Sequence, residues 1–281
     1  MFRRHFLLGL LALSCIFVQP VIHAGHAQNP TEQQEYPVPI NEYQNGAVLW
    51  TQSSGEYRAL SYQAYALARL RLDQYLRQRK SERTRRRPPA VVVDVDETIL
   101  NNSRFQAELI KRDQPYDSAS WQAWCERAEA DAVAGAVPLL NYAARRGVRV
   151  FYITNRRPAE KPGTIRNLQK LNFPGVSEET VMVRERDMSS SKESRRQSVR
   201  SHYDIALLMG DNLNDFNDDF AGKSITDRSA QVDREQAEFG SSFIVLPNPM
   251  YGDWEDAINH YQRGLTPTQQ RANRRAALKG L

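Results

Sequence analysis

Short apolar runs alternate along the chain with longer segments in which apolar residues recur at helical spacing. The runs lie at 90–93, 148–153, 205–209 and 242–246. Helical spacing is found near 134–146, 158–171, 192–201 and 229–239. Strands that alternate with helices are typical of a parallel sheet whose two faces are both covered. The pattern therefore predicts an α/β fold with a doubly wound, mostly parallel sheet.

A longer amphipathic pattern precedes these runs. Apolar and aromatic residues recur among Arg and Gln over 55–85, with no Gly or Pro after Gly55. They predict one long helix, which we assign to 55–87. Its end, 77–87, is strongly basic. This end is interpreted either as a solvated helix end and linker or as a surface attracted to anionic lipid or lipopolysaccharide.

The segment 102–133 separates the first predicted strand from the next helix and is rich in aromatic residues. These include Phe105, Tyr116, Trp121 and Trp124. Together with the long helix, this insert is predicted to form a small helical satellite domain beside the mouth of the sheet. The sheet and its helices then occupy 88–262, and an N-terminal segment, 28–54, precedes the long helix. Residues 263–281 carry basic but no acidic side chains and are predicted to be a mobile tail.

Residues 1–27 have the layout of a cleaved export signal, with a basic start, an apolar stretch and small residues at the end. The apolar stretch is too short for a spanning helix. Arg3 and Arg4 resemble a twin-arginine signal, with a Sec signal as the alternative. Cys15 would carry the lipid of a lipoprotein, but Ala12 stands where such a signal has Leu. We therefore expect an exported protein, either periplasmic or associated with the outer membrane.

Charge and residue content argue against several classes of function. The formal net charge of +5 falls to +3 without Arg3 and Arg4, which is too modest for a protein that binds a nucleic acid polymer. Cys125 is the only cysteine after the signal, so an intramolecular disulfide is excluded. The position six residues after Cys125 is not the arginine that a cysteine phosphatase needs. His202 and His260 lie in no Arg-His-Gly setting, which argues against a phosphohistidine mechanism.

Polar side chains follow each of the first three apolar runs. They are Asp94 and Asp96 after the first run, Thr154 and Asn155 after the second, and Asp211 and Asp215 after the third. Lys192 lies at the start of a predicted helix. The carboxyl ends of the strands form the ligand edge of an open α/β sheet. These side chains are therefore expected to share one site.

Asp94 and Asp96 are predicted to face one site, and two carboxylates so close together are costly unless a cation lies between them or one is protonated. Both conditions suit a metal-assisted hydrolase in which one aspartate attacks phosphorus and the other gives a proton to the leaving oxygen. Carboxylates at facing strand ends favour Mg²⁺. An EF-hand calcium loop starting at Asp211 is excluded, because its glycine position holds Phe216 and its glutamate position holds Gly222.

Four motifs occur in order: D-x-D-x-T, T-N-R, a single Lys and G-D-N-x-x-D. In this order and placement they resemble the haloacid dehalogenase superfamily. The phrases VVVDVDETILNNS, FYITNR, MGDNLNDF and LPNPMYGDWE are similar, more narrowly, to the class C acid phosphatases of the lipoprotein e type, which are bacterial cell-envelope nucleotidases. The resemblance covers residues 40–262, nearly the whole chain after the signal.

The resemblance implies a Mg²⁺-dependent phosphomonoesterase and a role for each motif residue. Asp94 would form an aspartyl-phosphate, and Asp96 would act as general acid and then as the base that activates water. Mg²⁺ would be held by the carboxylates of Asp94 and Asp211 and by the backbone carbonyl of Asp96, while Lys192 stabilises charge. The remaining implied roles are phosphate binding by Thr154 and Asn155, orientation of metal-bound waters or the lysine by Asp215, and clamping of the substrate's ring by Trp121 and Tyr251.

Three interpretations of the activity remain open. The first is a nucleotidase, because Trp121 and Tyr251 suit a ring-bearing substrate, and stacking on a base is worth about 1–3 kcal/mol. The second is a broad acid phosphatase, since aromatic residues on a helical insert often belong to the core. The third is a non-catalytic binding protein of the same fold, against which the presence of Asp94, Asp96 and Lys192 argues. The expected partner of the enzyme is a small phosphomonoester, and a homodimer stays open.

Overall fold

The structure is a computed structural model that describes residues 39–81, 87–186 and 188–281. The predicted export signal with Cys15, the start of the N-terminal segment and the 82–86 part of the predicted long helix lie outside these residues. None of the helices in the described part of the chain has both the length and the apolar character needed to cross a membrane.

The described residues contain strands β1 (Pro89–Val93), β2 (Leu100–Asn101), β3 (Asp131–Ala132), β4 (Arg149–Ile153), β5 (Val181–Met182), β6 (Asp204–Gly210) and β7 (Phe243–Val245). Five of them form a parallel sheet in the order β5-β4-β1-β6-β7. The predicted parallel α/β sheet is thus confirmed, with each of the four apolar runs as a strand. Strand β5 was not predicted, because two residues are too few to show a period.

The helices are α1 (Asn45–Ser53), α2 (Gly55–Ser81), α3 (Ser103–Lys111), α4 (Ser118–Arg127), α5 (Ala136–Arg145), α6 (Lys161–Lys170), α7 (Glu193–His202), α8 (Ile225–Arg234), α9 (Asp253–Ile258) and α10 (Pro267–Ala277). Helix α8 begins earlier than the pattern near 229–239 indicated. Ser224 explains the shift, because its hydroxyl caps the helix by accepting a hydrogen bond from the Asp227 amide.

The central strand β1 separates two hydrophobic cores, because alternate side chains of a strand point to opposite faces. Val91 and Val93 enter the larger core, which includes residues of α2, α5 and α6. Val92 enters the smaller core with Val199 of α7 and the fully buried Phe216. Helices therefore cover both faces, which is the doubly wound arrangement expected from the sequence.

The register of the sheet brings three strand ends together. Val93, the last residue of β1, lies opposite Tyr152 of β4 and Met209 of β6. The residues that follow these strands therefore emerge side by side at one edge. This edge is where the sequence predicted a shared site.

Helix α2 belongs to the covering layer of the sheet and not to the satellite, so that part of the prediction is wrong. It packs against α5 and against strands β6 and β7. Its buried side chains Tyr65, Ala68, Leu72 and Leu76 are spaced three or four residues apart and join the larger core. The periodicity correctly predicted a helix, but it does not reveal which surface the apolar stripe covers.

The insert consists of α3 and α4 and is closed at its base by a short antiparallel pair. In this pair, Leu100 of β2 lies opposite Ala132 of β3. Helix α1 packs against α3, and α4 packs against α6. The insert is thereby joined both to the N-terminal segment and to the helical layer of the sheet.

Residues 263–281 contain a helix, where the sequence predicted a mobile tail. Helix α10 begins with Pro267 after Thr266, whose hydroxyl accepts from the Gln269 amide at 3.3 Å. The Gln269 side chain accepts in return from the Thr266 amide at 2.9 Å, which completes a capping box. Helix α10 then packs against α9.

We expect Leu72→Ala to destabilise the protein by about 2–5 kcal/mol, because Leu72 is fully buried between α2 and the sheet. Leu70→Ala on the same helix is the matched control. Leu70 is 50% exposed, so its replacement should change the free energy of unfolding by no more than about 0.5 kcal/mol. Chemical denaturation measures both variants, and equal effects would contradict the placement of α2 in the sheet core.

Candidate active site

The end of β1 and the turn after it place Asp94 and Asp96 at the mouth of the sheet. The Asp94 amide donates to the Met209 carbonyl at 2.9 Å, which extends the pairing with β6 beyond the last residue of β1. The Leu100 amide then donates to the Val95 carbonyl at 2.8 Å, so the chain reverses tightly. Both carboxylates thus leave the backbone within one short turn.

Glu97 lies within this turn in an unusual conformation. Its φ is +56°, in the left-handed region that residues other than glycine rarely adopt, and its side chain is buried. Asn102 supports it through its backbone amide, which donates to Glu97 Oε1 at 2.7 Å, and its side-chain amide, 3.2 Å from Oε2. Burial and the nearby charge of Asp96 raise the pKa of Glu97 to about 8.

A buried ammonium joins two of the carboxylates. Lys192, the residue before α7, donates from Nζ to Asp94 and to Asp215 Oδ1, the latter at 2.7 Å. All three residues are buried. Burial by itself lowers the pKa of Lys192, but the charges of Asp215 and Asp94 outweigh it and raise the pKa, so the side chain stays an ammonium. Burial raises the pKa of Asp94, while Lys192 opposes the shift.

Asp211 completes a group of carboxylates that could hold a metal ion. Carboxylate oxygens of Asp94, Asp211 and Asp215 lie within 4.8 Å of one another. The Thr98 hydroxyl is 3.0 Å from Asp211 Oδ1, and Asn248 donates to Asp211 Oδ2 at 2.9 Å. Burial and the charge of Asp94 raise the pKa of Asp211 well above its ordinary value. Such a cluster of hard oxygens suits a small divalent cation.

Asp96 is held by different partners. Arg156 donates to its carboxylate through Nε at 3.0 Å and Nη2 at 2.7 Å, a two-pronged pair in which the arginine is 3% exposed. The Asn102 side chain donates to Asp96 at 2.9 Å, and the Thr154 hydroxyl lies 3.3 Å from it. These donors orient Asp96 separately from the ammonium that binds Asp94.

The two residues predicted to bind phosphate differ in their surroundings. Thr154 is fully buried, and its hydroxyl contacts Asp96 and accepts from the Arg156 amide at 3.1 Å. Thr154 does not line the cleft described below. Asn155 is exposed there, and Arg195 donates to its side-chain oxygen at 2.8 Å. The structure therefore places Asn155, but not Thr154, where a ligand can reach it.

A cleft of about 930 Å³ opens over these side chains. It is lined by Asp94, Asp96, Lys192, Asp211 and Asp215, and also by both predicted ring-binding residues, Trp121 and Tyr251. Drug-sized ligands occupy pockets of about 300–1,000 Å³. The cleft therefore has room for an organic group in addition to a phosphate.

Trp121 has both a packing role and a cleft-facing role. It is 8% exposed, and its ring lies 5.1 Å from that of Phe105 and 6.3 Å from that of Tyr116. The guanidinium of Arg156 lies 5.2 Å from the centre of the same ring. Arg156 therefore connects Asp96 at the sheet to the aromatic cluster of the insert.

Arg196, which belongs to none of the four motifs, holds the loop after β6 against α7. It is fully buried and donates to the backbone carbonyls of Asn214, at 3.1 Å, and Asp215, at 3.0 Å. Its Nε also donates to Glu193 at 2.9 Å. Because Lys192 directly precedes Glu193, this guanidinium links the segment that carries Lys192 to the backbone of Asp215.

Three further residues support the site through contacts that their motifs do not predict. Arg156 belongs to the T-N-R motif, in which the predicted phosphate-binding residues are Thr154 and Asn155. Asn248 belongs to the motif LPNPMYGDWE. Its side-chain amide reaches Asp211 because β7 lies beside β6. Gly210 is required at the end of β6, because a Cβ atom there would clash with the Asp215 side chain. These contacts follow from the fold and not from spacing.

Comparisons with known proteins indicate one family. Residues 18–254 match the family described as HAD superfamily, subfamily IIIB (Acid phosphatase). Acid phosphatase 1 of Solanum lycopersicum is 25% identical over 166 residues, which are 57% of this chain and 57% of that protein. The chain thus spans little more than half the length of that curated relative.

Two solved structures are similar over most of the chain. The structure of the Class C acid phosphatase from Bacillus anthracis is 38% identical, with a TM-score of 0.81, and the match covers 87% of this chain and 100% of that one. The crystal structure of the same enzyme with tungstate bound matches with the same identity and coverage and a TM-score of 0.82.

Glu97→Gln should change how stability depends on pH. The folded-state pKa of Glu97, about 8, lies above its ordinary value of 4.5, so the unfolded chain loses this proton first as pH rises. Protonated Glu97 contributes its full stabilisation of the fold below pH 4.5. This contribution to the free energy of unfolding is lost as pH rises to about 8, in total a few kcal/mol at roughly 1.4 kcal/mol per pH unit.

The measurement is the melting temperature of wild type, Glu97→Gln and the exposed control Glu108→Gln at pH 5 and pH 8.5. Wild type and Glu97→Gln should be similar at pH 5, and the variant should melt at higher temperature at pH 8.5. The same difference in melting temperature between wild type and Glu97→Gln at both pH values would contradict a raised pKa of Glu97.

Proposed function

The chain belongs to subfamily IIIB of the HAD superfamily, the acid phosphatases, and we propose from this that it is a Mg²⁺-dependent phosphomonoesterase with Asp94 as nucleophile. The observation that carries the proposal is the buried Lys192 ammonium between Asp94 and Asp215, with Asp211 beside them. A nucleophilic carboxylate, a fixed positive charge and oxygen ligands for a cation meet there at one sheet edge. This combination suits transfer of a phosphoryl group.

Covalent catalysis would proceed in two steps. In the first, an oxygen of Asp94 bonds to phosphorus while the bond to the leaving oxygen breaks, and Asp96 gives that oxygen its proton. In the second, Asp96 takes a proton from water as the water attacks the aspartyl-phosphate. Phosphate leaves, and both aspartates return to their starting states. Lys192 offsets negative charge on the transferred group in both steps.

The two aspartates are held by different partners. Asp94 is bound by the Lys192 ammonium, which favours the ionised form needed for attack and so offsets part of the pKa rise that burial causes. Asp96 is oriented by Arg156 and Asn102 toward the same cleft. Neighbouring carboxylates in separate environments are a recurrent way to divide nucleophile and proton donor.

The carboxylates of Asp94, Asp211 and Asp215 fit a Mg²⁺ ion, because their oxygens lie within 4.8 Å of one another. The backbone carbonyl of Asp96 is a further proposed ligand. Mg²⁺ bound there would neutralise phosphate oxygens and position them for in-line attack. We propose that Asn155 and Lys192 contact the phosphate, and that Thr154 acts on it indirectly by orienting Asp96.

Nucleoside 5′-monophosphates are the proposed substrates, with a broad acid phosphatase as the second candidate. The cleft of about 930 Å³ exceeds what a phosphate alone requires, and Trp121 and Tyr251 line it. Stacking of a base on such rings is worth about 1–3 kcal/mol. The tungstate held by the Class C acid phosphatase from Bacillus anthracis is an oxyanion, which supports binding of a phosphate-like group.

Export to the cell envelope is part of the same proposal. It is supported by the basic, apolar and small-residue order of residues 1–27. Fractionation of cells that express the full chain would place the activity in the periplasm or the outer membrane. Activity confined to the cytoplasmic fraction would contradict export.

Activity should depend on Mg²⁺, and it should favour nucleotides. A panel of nucleoside 5′-monophosphates and glycerol 2-phosphate is assayed with Mg²⁺, with EDTA, and after Mg²⁺ is restored in excess. EDTA should abolish turnover and Mg²⁺ should restore it, because the carboxylates repel one another without a cation. Full turnover in EDTA would refute the metal site, and equal kcat/KM values across the panel would favour the broad phosphatase.

Variants of Asp94 and Asp96 should differ in how their turnover depends on the leaving group. Asp94→Asn should leave essentially no turnover, whereas Asp96→Asn should lose roughly 10²–10⁴-fold on nucleoside monophosphates, whose alcohol needs a proton. With p-nitrophenyl phosphate, Asp96→Asn should release a burst of nitrophenolate and then turn over slowly. The exposed Asp219→Asn is the control variant. Equal, burst-free losses on both substrates would show that Asp96 is not the acid and base.

A further inference from the structure

The cleft has an outer wall that the catalytic motifs do not supply. Beyond the sheet mouth and the insert, its lining includes Arg263, Leu265, Pro267 and Gln270. These residues lead into α10 from the segment expected to be a mobile tail. A further part of the outer lining comes from residues 40–44, ahead of α1.

Three side chains fasten this wall in place. The guanidinium of Arg274 on α10 lies 3.6 Å from the ring centre of Tyr43 and 3.6 Å from Glu255 Oε1. The side chains of Arg274 and Glu255 are only 20% and 14% exposed, so solvent screens their attraction weakly. We call Tyr43, Arg274 and Glu255 the clasp, since they join the N-terminal segment, α9 and α10.

Two of the three clasp residues belong to the cleft surface, and the third supports them. Tyr43 and Glu255 themselves line the cleft, whereas Arg274 contacts both from behind and is not part of the lining. Displacing Arg274 would therefore release two lining residues together with the start of α10. It would leave the Lys192 contacts with Asp94 and Asp215 unchanged.

We propose that the clasp holds residues 263–270 as the outer wall of the substrate cleft, so that Arg274 is a positioning residue for the leaving group. The lining there combines apolar Leu265 and Pro267 and the ring of Tyr43 with the hydrogen-bonding Gln270. Such a wall fits a flat group with polar edges, such as a nucleoside. The proposal rests on the proposed function for its substrate, but its effect is on binding and not on the reaction at phosphorus.

Arg274→Ala tests the proposal, with Arg275→Ala as a matched control. Both remove one positive charge from α10, but Arg275 is exposed. Arg274→Ala should raise KM for a nucleoside 5′-monophosphate roughly tenfold, comparable to loss of one desolvated cation–π contact. Its kcat/KM for glycerol 2-phosphate should stay within about twofold, because small substrates do not reach the wall. Arg275→Ala should match wild type on both.

Tyr43→Phe and Tyr43→Ala give a second measurement. Phe keeps the ring under the guanidinium and should leave KM for the nucleotide near that of wild type, while Ala should raise it as Arg274→Ala does. The double variant Tyr43→Ala with Arg274→Ala should lose little more than either single variant, because both remove the same contact. Independent, additive losses would overturn the clasp.

Calorimetric binding of the free nucleoside separates failure of the wall from failure of the proposed function. Weaker nucleoside binding by Arg274→Ala than by Arg275→Ala supports the wall, even if neither substrate is hydrolysed. Equal binding by the two variants overturns it, even if wild type is an active nucleotidase. Proportional losses on nucleotide and glycerol 2-phosphate, together with a lower melting temperature, would show that Arg274 only stabilises the fold.

Discussion

Mutual repulsion among carboxylates at one edge of the sheet is the constraint on which the rest of the site depends. Asp94, Asp96, Asp211 and Asp215 emerge there because β1 and β6 end side by side. Several buried negative charges are tolerated only when cations or hydrogen-bond donors compensate them. The protein meets this need with two buried cations, Lys192 and Arg156, and leaves three carboxylates where a metal ion could bind.

The buried cations also determine how the surrounding elements are arranged. Lys192 draws the start of α7 toward β1, and Arg196 ties the loop that carries Asp215 to the same helix. Arg156 bonds to Asp96 and lies over the ring of Trp121, which connects the sheet to the insert. Removing one partner of a buried pair typically costs about 3–5 kcal/mol, so these contacts hold the site in a fixed geometry.

The cleft consequently has two parts with different physical character. At the phosphate end, Asp94 and Asp215 bind the buried Lys192 and Asp96 binds the buried Arg156, so the geometry is preorganised. At the outer end, the lining comes from the insert and from both ends of the described chain, which meet through the contact of Arg274 with Tyr43. Chemistry and leaving-group recognition can therefore vary independently.

The sequence by itself determined the alternation of four apolar strands with helices, the parallel sheet and the motif residues Asp94, Asp96, Lys192, Asp211 and Asp215, because periodicity and strand-end position are local properties. Only the tertiary structure decided that α2 covers the sheet, that Arg156 and Asn102 hold Asp96, and that α10 borders the cleft. An apolar stripe on a helix indicates that this face is buried, but it does not indicate which element covers it. Contacts such as Arg156 with Asp96, 60 residues apart, exist only after folding.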